Sequence, residues 1–288
     1  MSIEINYMGR RGNSIFQYVY ARLLAVRNNL YLKTKFPFQN LLKTTRHEPG
    51  RILEHPTITI IDGYKPEGKK FFYQDLVPAH YIIQGWFQEP DFYNRNEELI
   101  RSFFVLKEPE KNTEDIIMAV RLGDYARLGW LVHPEWYLRI LEGESFKKLY
   151  IVGSKLNEPY LKYFKKYKPI IVPTSTINDF CTVRKFDKII CSNSSLIWWA
   201  AFFSRASRIY TFARWIDKKN KKKYGFLFRQ SFLKNAIRVD GKFLTDYTPK
   251  TYYPVASVYP GWRGRLVKKK LKEFAKKVLV LSGILPHG

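Results

Sequence analysis

The sequence predicts an α/β protein made of two facing Rossmann-like halves with a cleft between them. Three observations lead there. The chain opens as strand, glycine-bearing turn and helix, which is the first half of a βαβ unit. Beyond residue 115, short runs of continuous apolar residues alternate with helical stretches, the pattern of a parallel sheet covered on both faces. Between these regions, "KEPEKNTED" at 107–115 is polar, charged and carries a proline, and the domain boundary is placed there. The expected domains are 1–110, 111–264 and a C-terminal segment 265–288.

Each element has its own signal. In "SIEINYMGRRGN" the alternation of Ile3, Ile5 and Tyr7 predicts a strand, and Gly9 and Gly12 punctuate the turn after it. From Ile15 the apolar residues recur at helical spacing, through Val19, Leu23 and Val26. "TITIIDGY" and Ile82–Ile83 predict two more strands, and Glu97 to Phe104 a helix. In the second half "DIIMAVRLGDY" is a buried strand and "PEWYLRILEG" a helix with Pro134 in its first turn. "KKLYIVGS" and "KPIIVPT" are strands on either side of the helical "LNEPYLKYFKKY". "INDFCTVRKF" is helical, "DKIICS" a strand, "SSLIWWAAFFS" a helix and "SRIYTFARW" the last strand.

Composition bounds the function. The 288 residues carry 45% hydrophobic and 17% aromatic residues, enough for a large core. Fifty basic residues against 25 acidic ones give a net charge of +25, which attracts polyanions: nucleic acid, anionic lipid or phosphorylated small molecules. Zinc-finger spacing, a basic zipper and an RNP-like motif are all missing, so specific nucleic-acid recognition has no vehicle. Cys181 and Cys191 suggest neither a disulfide framework nor a metal site, so a reducing, cytoplasmic location is expected. No signal-peptide core or membrane-spanning run is visible.

The strand-end loops are the candidate sites. Ser192, Asn193, Ser194 and Ser195 lie between a buried strand and a helix whose first N–H groups have no internal partners. Those donors, the helix dipole and the serine hydroxyls suit a phosphate or pyrophosphate. Simple serine capping of the helix is the alternative, and the residues do not choose between the two. Arg121, at another strand end, has a guanidinium that can grip a phosphate in a fork that lysine cannot copy, or can pair with a nearby acid. Asp124 follows in a Gly-Asp turn, where turn chemistry is an equal explanation. The "GRRGN" loop at 9–13 has one Gly-x-x-Gly spacing, too loose for a dinucleotide fingerprint.

Taken together, "GRRGNSIFQY" (9–18), "IIQGWFQEPDFY" (82–93), "AVRLGDY" (119–125) and "ICSNSSLIWWAAFF" (190–203) resemble the α-1,2-fucosyltransferase family, glycosyltransferase family 11. Its members carry, in this order, G-x-L-G-N-Q-M-F-Q-Y, G-Y-F-Q, H-x-R-R-G-D-Y and S-N-S-S-F-S-W-W-A-A. The resemblance runs from residue 9 to about 215, where "TFARW" is similar to the family's last strand. It implies a GT-B-like fold, GDP-fucose as donor, a glycan or lipid-linked oligosaccharide as acceptor, inversion at the sugar carbon, and no metal or other cofactor. It also implies that Arg121 holds the β-phosphate and neutralises charge on the leaving GDP. Asn193, Ser194 and Ser195 fall on positions that bind the same pyrophosphate. Asp179 falls on an acid near the nucleoside, with helix capping as its structural alternative. Gly12 and Asn13 fall on the loop facing the transferred sugar and the acceptor, so 1–110 becomes the acceptor side and 111–264 the sugar-nucleotide side. Asp124 is grouped with Arg121 as catalytic, and Asp124, Glu89, Asp91 and His133 are the candidates for a base on the acceptor.

The chain departs from the family at several positions. The family's histidine is Ala119, its second arginine Leu122, its phenylalanine after the serines Leu196, and its glutamine after Gly-Asn Ser14; "VGSKLNEP" at 152–159 replaces its paired acids. Another sugar nucleotide is therefore an alternative donor, and a non-catalytic polyanion binder is the alternative from a different class. The stretch 265–281 has one apolar helical stripe flanked by lysines, expected either to dock on the protein or to lie on an anionic membrane, and "DKKNKKKYG" at 217–225 reads as a basic surface loop.

Overall fold

The computed structural model describes residues 1–36, 56–61, 76–153, 156, 158–173, 175–212 and 233–244. The basic loop 217–225, the end of "TFARW" and the segment 265–288 lie outside the described residues. Met1–Thr248 form one compact unit, which holds both sheets.

The first sheet is parallel, in the order β2-β1-β4-β3: β1 (Ser2–Asn6), β2 (Tyr31–Lys33), β3 (Thr57–Ile61) and β4 (His80–Gln84). Helix α1 (Arg11–Arg27) connects β1 to β2. It starts at Arg11 rather than Ile15, so Gly12 and Asn13 stand in its first turn and not in a loop before it. Two short helices follow β4, α2 (Pro90–Arg95) and α3 (Glu97–Ser102). The sequence signalled only the second, because Pro90 and a six-residue length leave α2 little periodicity to show.

The second sheet is also parallel and has six strands, in the order β10-β9-β8-β5-β6-β7. These are β5 (Asn112–Ala119), β6 (Leu149–Val152), β7 (Ile170–Ile171), β8 (Phe186–Cys191), β9 (Arg208–Phe212) and β10 (Ala236–Val239). The connecting helices are α4 (Asp124–Leu128), α5 (Pro134–Glu142), α6 (Glu158–Leu161), which runs into a 3₁₀ turn at Lys162–Tyr167, α7 (Thr176–Val183) and α8 (Ser195–Phe202). β9 is not the last strand: β10 pairs with it at the sheet edge, and its half-exposed "AIRV" lacks the apolar run that marks a buried strand.

Both sheets change direction at their centre. From β5 the chain builds outward through β6 and β7, then returns to place β8 on the other side. From β1 it goes to β2, then returns to place β4 on the other side. Crevices at the carboxyl ends of such strands are where open parallel sheets bind ligands. The loops at these two switch points follow β1, β4, β5 and β8, and they contain the four motifs singled out above.

Helix α8 is apolar on nearly every side, and it is buried from Ile197 to Phe202. It packs on α1 and α7 as well as on β8. Trp198 and Trp199 therefore do more than seat the helix on its sheet. Phe16 of α1 lies 4.9 Å from the Trp198 ring and 4.8 Å from that of Trp199, and Tyr93 of α2 lies 5.4 Å from Trp199. One continuous aromatic core thus joins elements of both sheets.

Gln17 is fully buried in α1 and ties together the two loops of the first switch point. Its Nε2 donates to the carbonyls of Met8 (3.1 Å) and Gly85 (2.6 Å), and its Oε1 accepts from Met8 N (3.0 Å). Replacing it with leucine removes these bonds from the buried Gly85 carbonyl and the half-buried Met8 groups. Gln17→Leu is expected to lower stability by about 2–3 kcal/mol in urea unfolding, more than an ordinary buried hydrogen bond contributes.

Candidate functional site

The "GRRGN" turn holds the site together. A Cβ on Gly12 would stand 2.3 Å from Leu196 N and 2.5 Å from Ser195 Oγ. Only glycine lets the first turn of α1 lie this close to the first turn of α8. Arg10 Nη1 reaches Asp124 Oδ1 at 3.4 Å, and Asn13 Oδ1 accepts from Gln88 Nε2 at 2.9 Å. Residues from the loops after β1, β4, β5 and β8 thus meet within a few residues of one another.

Arg121 lies just past the end of β5, and its side chain is 20% exposed. Its Nη2 donates to Asp124 Oδ1 at 3.1 Å, and its guanidinium carbon sits 5.0 Å from the centre of the Tyr125 ring. Its Nε is buried and makes no hydrogen bond among the described residues. Burial raises the Tyr125 phenol above its usual value and the nearby Arg121 cation opposes the rise, so Tyr125 stays a neutral donor. It donates to Asn193 O at 2.9 Å.

The four small residues after β8 divide into different tasks. Asn193 is buried, and its Nδ2 donates to Trp130 O at 3.0 Å. With Tyr125 on its carbonyl, it clamps the β8 loop to the segment after β5. Ser192 Oγ is buried and makes no hydrogen bond among the described residues. Ser194 is the N-cap residue of α8, yet its side chain makes no capping bond. Capping therefore does not explain it. Two other helices are capped, α7 by Ser175 Oγ accepting from Asn178 N at 3.2 Å and α5 by His133 Nδ1 accepting from Glu135 N at 3.3 Å, whereas α2, α3 and α4 have no side-chain cap either. Helix α1 likewise has Arg10 as its N-cap residue and no side-chain cap. Two helix starts without side-chain caps therefore converge here, with Arg10 and Arg121 beside them and Asp124 paired to both. This is a strongly anion-attracting arrangement.

Asp179 is buried in the first turn of α7. Its Oδ1 makes no hydrogen bond among the described residues, and burial pushes its carboxyl up to about 6. It does not cap its helix, since Ser175 does. The base candidates are dispersed. His133 is held as the cap of α5, Glu89 precedes α2, and Asp91 is exposed in its first turn. Among the described residues, no three His, Cys, Asp or Glu side chains are grouped to hold a metal ion.

The departures from the family motifs also have places. Leu122 is fully buried, so the position of the second arginine is core here. Ala119 ends β5, and its carbonyl accepts from the buried Tyr137 hydroxyl at 3.2 Å. The motif reading singled out neither Gln17 nor Tyr125 nor Trp86. Gln17 and Tyr125 lie inside quoted motifs, but their roles are hydrogen bonds to backbone atoms of other loops, which motif position does not show. Trp86 also lies inside a quoted motif, and it packs against Gly9, where a Cβ would stand 2.4 Å from its Cζ3.

No protein-family model and no curated protein matches the chain. Solved structures do. The crystal structure of the NodZ alpha-1,6-fucosyltransferase soaked with GDP-fucose aligns over 76% of this chain and 96% of its own, with 13% sequence identity and a TM-score of 0.50. An Arabidopsis thaliana FUT1 mutant in complex with GDP aligns over 73% of this chain and 69% of its own, with 12% identity and a TM-score of 0.46. The first likeness, with the two parallel sheets, shows the fold: α/β, Rossmann-like and of GT-B type.

Two outcomes follow from this geometry. Gly12→Ala forces backbone apart at the α1–α8 contact and is expected to cost about 1–3 kcal/mol in chemical unfolding. Asp179 carries a folded-state carboxyl value of about 6 against an ordinary 3.8, so its ionisation opposes folding. That penalty is absent below pH 4, grows as pH rises to about 6, and is constant above. Asp179→Asn should therefore melt higher than the wild type at pH 7.5, by about 1–3 kcal/mol. The difference should close at pH 4.

Proposed function

We propose that the chain is a GT-B glycosyltransferase that transfers L-fucose from GDP-fucose to a hydroxyl of a glycan. The observation that carries this reading is Arg121. It stands at the switch point of the second sheet, with a buried Nε that makes no hydrogen bond among the described residues, in the same loop cluster as the α8 start, whose N-cap Ser194 makes no side-chain cap. A doubly charged pyrophosphate satisfies both deficits at once. The family resemblance names the nucleotide sugar and the α-1,2 linkage, and the fold is compatible with both.

The chemistry follows from the charges. As the bond between the sugar carbon and the phosphate oxygen lengthens, negative charge grows on the departing GDP. Arg121 and the α8 dipole stabilise that charge more than they stabilise the ground state, which is what speeds the step. The acceptor hydroxyl attacks from the opposite face, so the configuration inverts, and its proton leaves to solvent or to a base. Asp124 is better suited to hold Arg121 than to take that proton, because Arg121 and Arg10 both engage its Oδ1. Ser194 and Ser195 are the proposed hydroxyl partners of the pyrophosphate, and Asp179 the polar partner of the nucleoside. Gly12 and Asn13 lie on the acceptor side. The net charge of +25 supports work at an anionic membrane surface on a lipid-linked acceptor.

Thermal unfolding with GDP, UDP, dTDP and ADP at one ionic strength tests the reading. GDP at a hundredfold excess over its Kd should add about 2.7 kcal/mol of stability, and Arg121→Ala should abolish the rise. A larger response to UDP or dTDP would replace the donor and keep the fold. Salt-sensitive binding to any polyanion, indifferent to Arg121, would instead identify a basic binding protein.

A further inference from the structure

We infer that the outer edge of the second sheet, from the 3₁₀ turn Lys162–Tyr167 through β7, is a surface that binds an anionic lipid bilayer. The inference gives the membrane contact proposed above a place in the fold, and it rests on that part of the reading alone. The twenty residues from Pro159 to Asn178 hold four lysines, Lys162, Lys165, Lys166 and Lys168, and neither an acid nor an arginine. All four lysines are exposed. Lys148 is exposed too, and it stands two residues before Tyr150, which pairs with Ile170 of β7. Lys166 meets Glu142 of α5 at 2.8 Å, an exposed pair that adds little to stability and yields readily to a charged surface.

The 3₁₀ geometry sorts these residues. With three residues per turn, positions i and i+3 lie one above the other. Phe164 and Tyr167 form the inward ridge: Phe164 is fully buried, and the Tyr167 ring lies 5.8 Å from that of Phe146. Lys162 and Lys165 form a second ridge, and Tyr163 and Lys166 a third, all of them exposed. Tyr163 is 40% exposed even with Lys162 Nζ 5.5 Å from its ring centre. Lys168 follows in the left-handed region, at φ +46°, and turns the chain into β7.

β7 continues the surface with apolar side chains. It closes the strand order, pairing among the described residues with β6 alone. Successive strand residues point to opposite faces, yet Ile170 is 41% and Ile171 43% exposed, so neither face of the sheet is covered at this rim. Lysines and prolines on an edge strand often serve to stop sheets from pairing edge to edge. Here a two-residue strand between Pro169 and Pro173 does that already, which leaves the lysine ridge and the two isoleucines to be explained. A second copy of the chain would set lysines against lysines. A nucleic acid would use the lysines but not the isoleucines. An anionic bilayer uses both: the ammonium groups sit among the phosphates, and Tyr163 and the isoleucines reach the boundary with the acyl chains.

Vesicle sedimentation with the full chain tests this, using vesicles of equal parts phosphatidylserine and phosphatidylcholine. The wild type should bind them, and the pair Lys162→Gln and Lys168→Gln should weaken binding about thirtyfold. The pair Ile170→Ser and Ile171→Ser should weaken it about tenfold, at high salt as well as low. If the isoleucine variant does not fold, Tyr163→Ser takes its place. Indifference to either pair, or no binding by the wild type, overturns the surface. Indifference to the isoleucines alone, with equal binding to single-stranded RNA, marks a general polyanion face instead. The GDP-induced rise in melting temperature should persist in both variants, because β7 lies two strands out from β5. Vesicle binding that depends on both pairs, without any response to GDP, keeps the surface and removes the GDP-sugar donor.

Discussion

The close approach of Gly12 to the start of α8 is the contact on which the site depends. With no side chain at Gly12, two helix starts from different sheets can meet backbone to backbone. Helix dipoles of the same sign repel at such a meeting, so the contact needs support. It comes from the aromatic core behind it, where Phe16 lies against Trp198 and Trp199, and from Arg10 reaching Asp124 across the junction. The result brings two helix starts together with Arg10 and Arg121, both of which engage Asp124.

The opposite end of α8 receives the complementary treatment. Arg101 of α3 donates to Phe202 O and stacks over the Phe202 ring at 5.5 Å. Arg184 Nε donates to Phe203 O at 3.4 Å, and Lys111 donates to Ser204 O. Burial lowers the Lys111 ammonium from its usual value, a cost accepted where carbonyl oxygens converge. Three cations at the carboxyl end of one short helix stabilise its dipole and satisfy its last acceptors. They also fasten α3, α7 and the connection before β5 to the helix that opens at the site. A change at either end of α8 is thus felt by both sheets.

Buried polar atoms show where this stability is given up. Arg121 Nε, Ser192 Oγ and Asp179 Oδ1 are all buried without hydrogen bonds among the described residues. All three belong to segments at the carboxyl edge of the second sheet. Gln17, by contrast, uses both ends of its amide on backbone atoms, and Asn193 donates to Trp130 O. Trp199 Nε1 inside α8 and Thr211 Oγ1 in β9 are in the same state, so what marks Arg121 and Ser192 is their place at the strand ends of the switch point.

Much of this was legible in the chain itself. Continuous apolar runs in "DIIMAV", "LYIV" and "KIIC" specify strands buried on both faces, because only a parallel sheet covered twice needs them. The residues of "GRRGN", "RLGDY" and "CSNSS" mark strand ends, since small and charged residues cannot continue such runs. β10 and α2 were not legible, being too short or too exposed to carry a period. Nor could spacing reveal that Ser194 leaves its helix uncapped while Ser175 caps α7, because both are serines before a helix. Local sequence determined which elements form and which residues stand at their ends. Tertiary structure alone decided the strand order, the meeting of Gly12 with Ser195 and the seat of Trp86 on Gly9. Those depend on packing between segments far apart in the chain, and no local pattern encodes the distance between them.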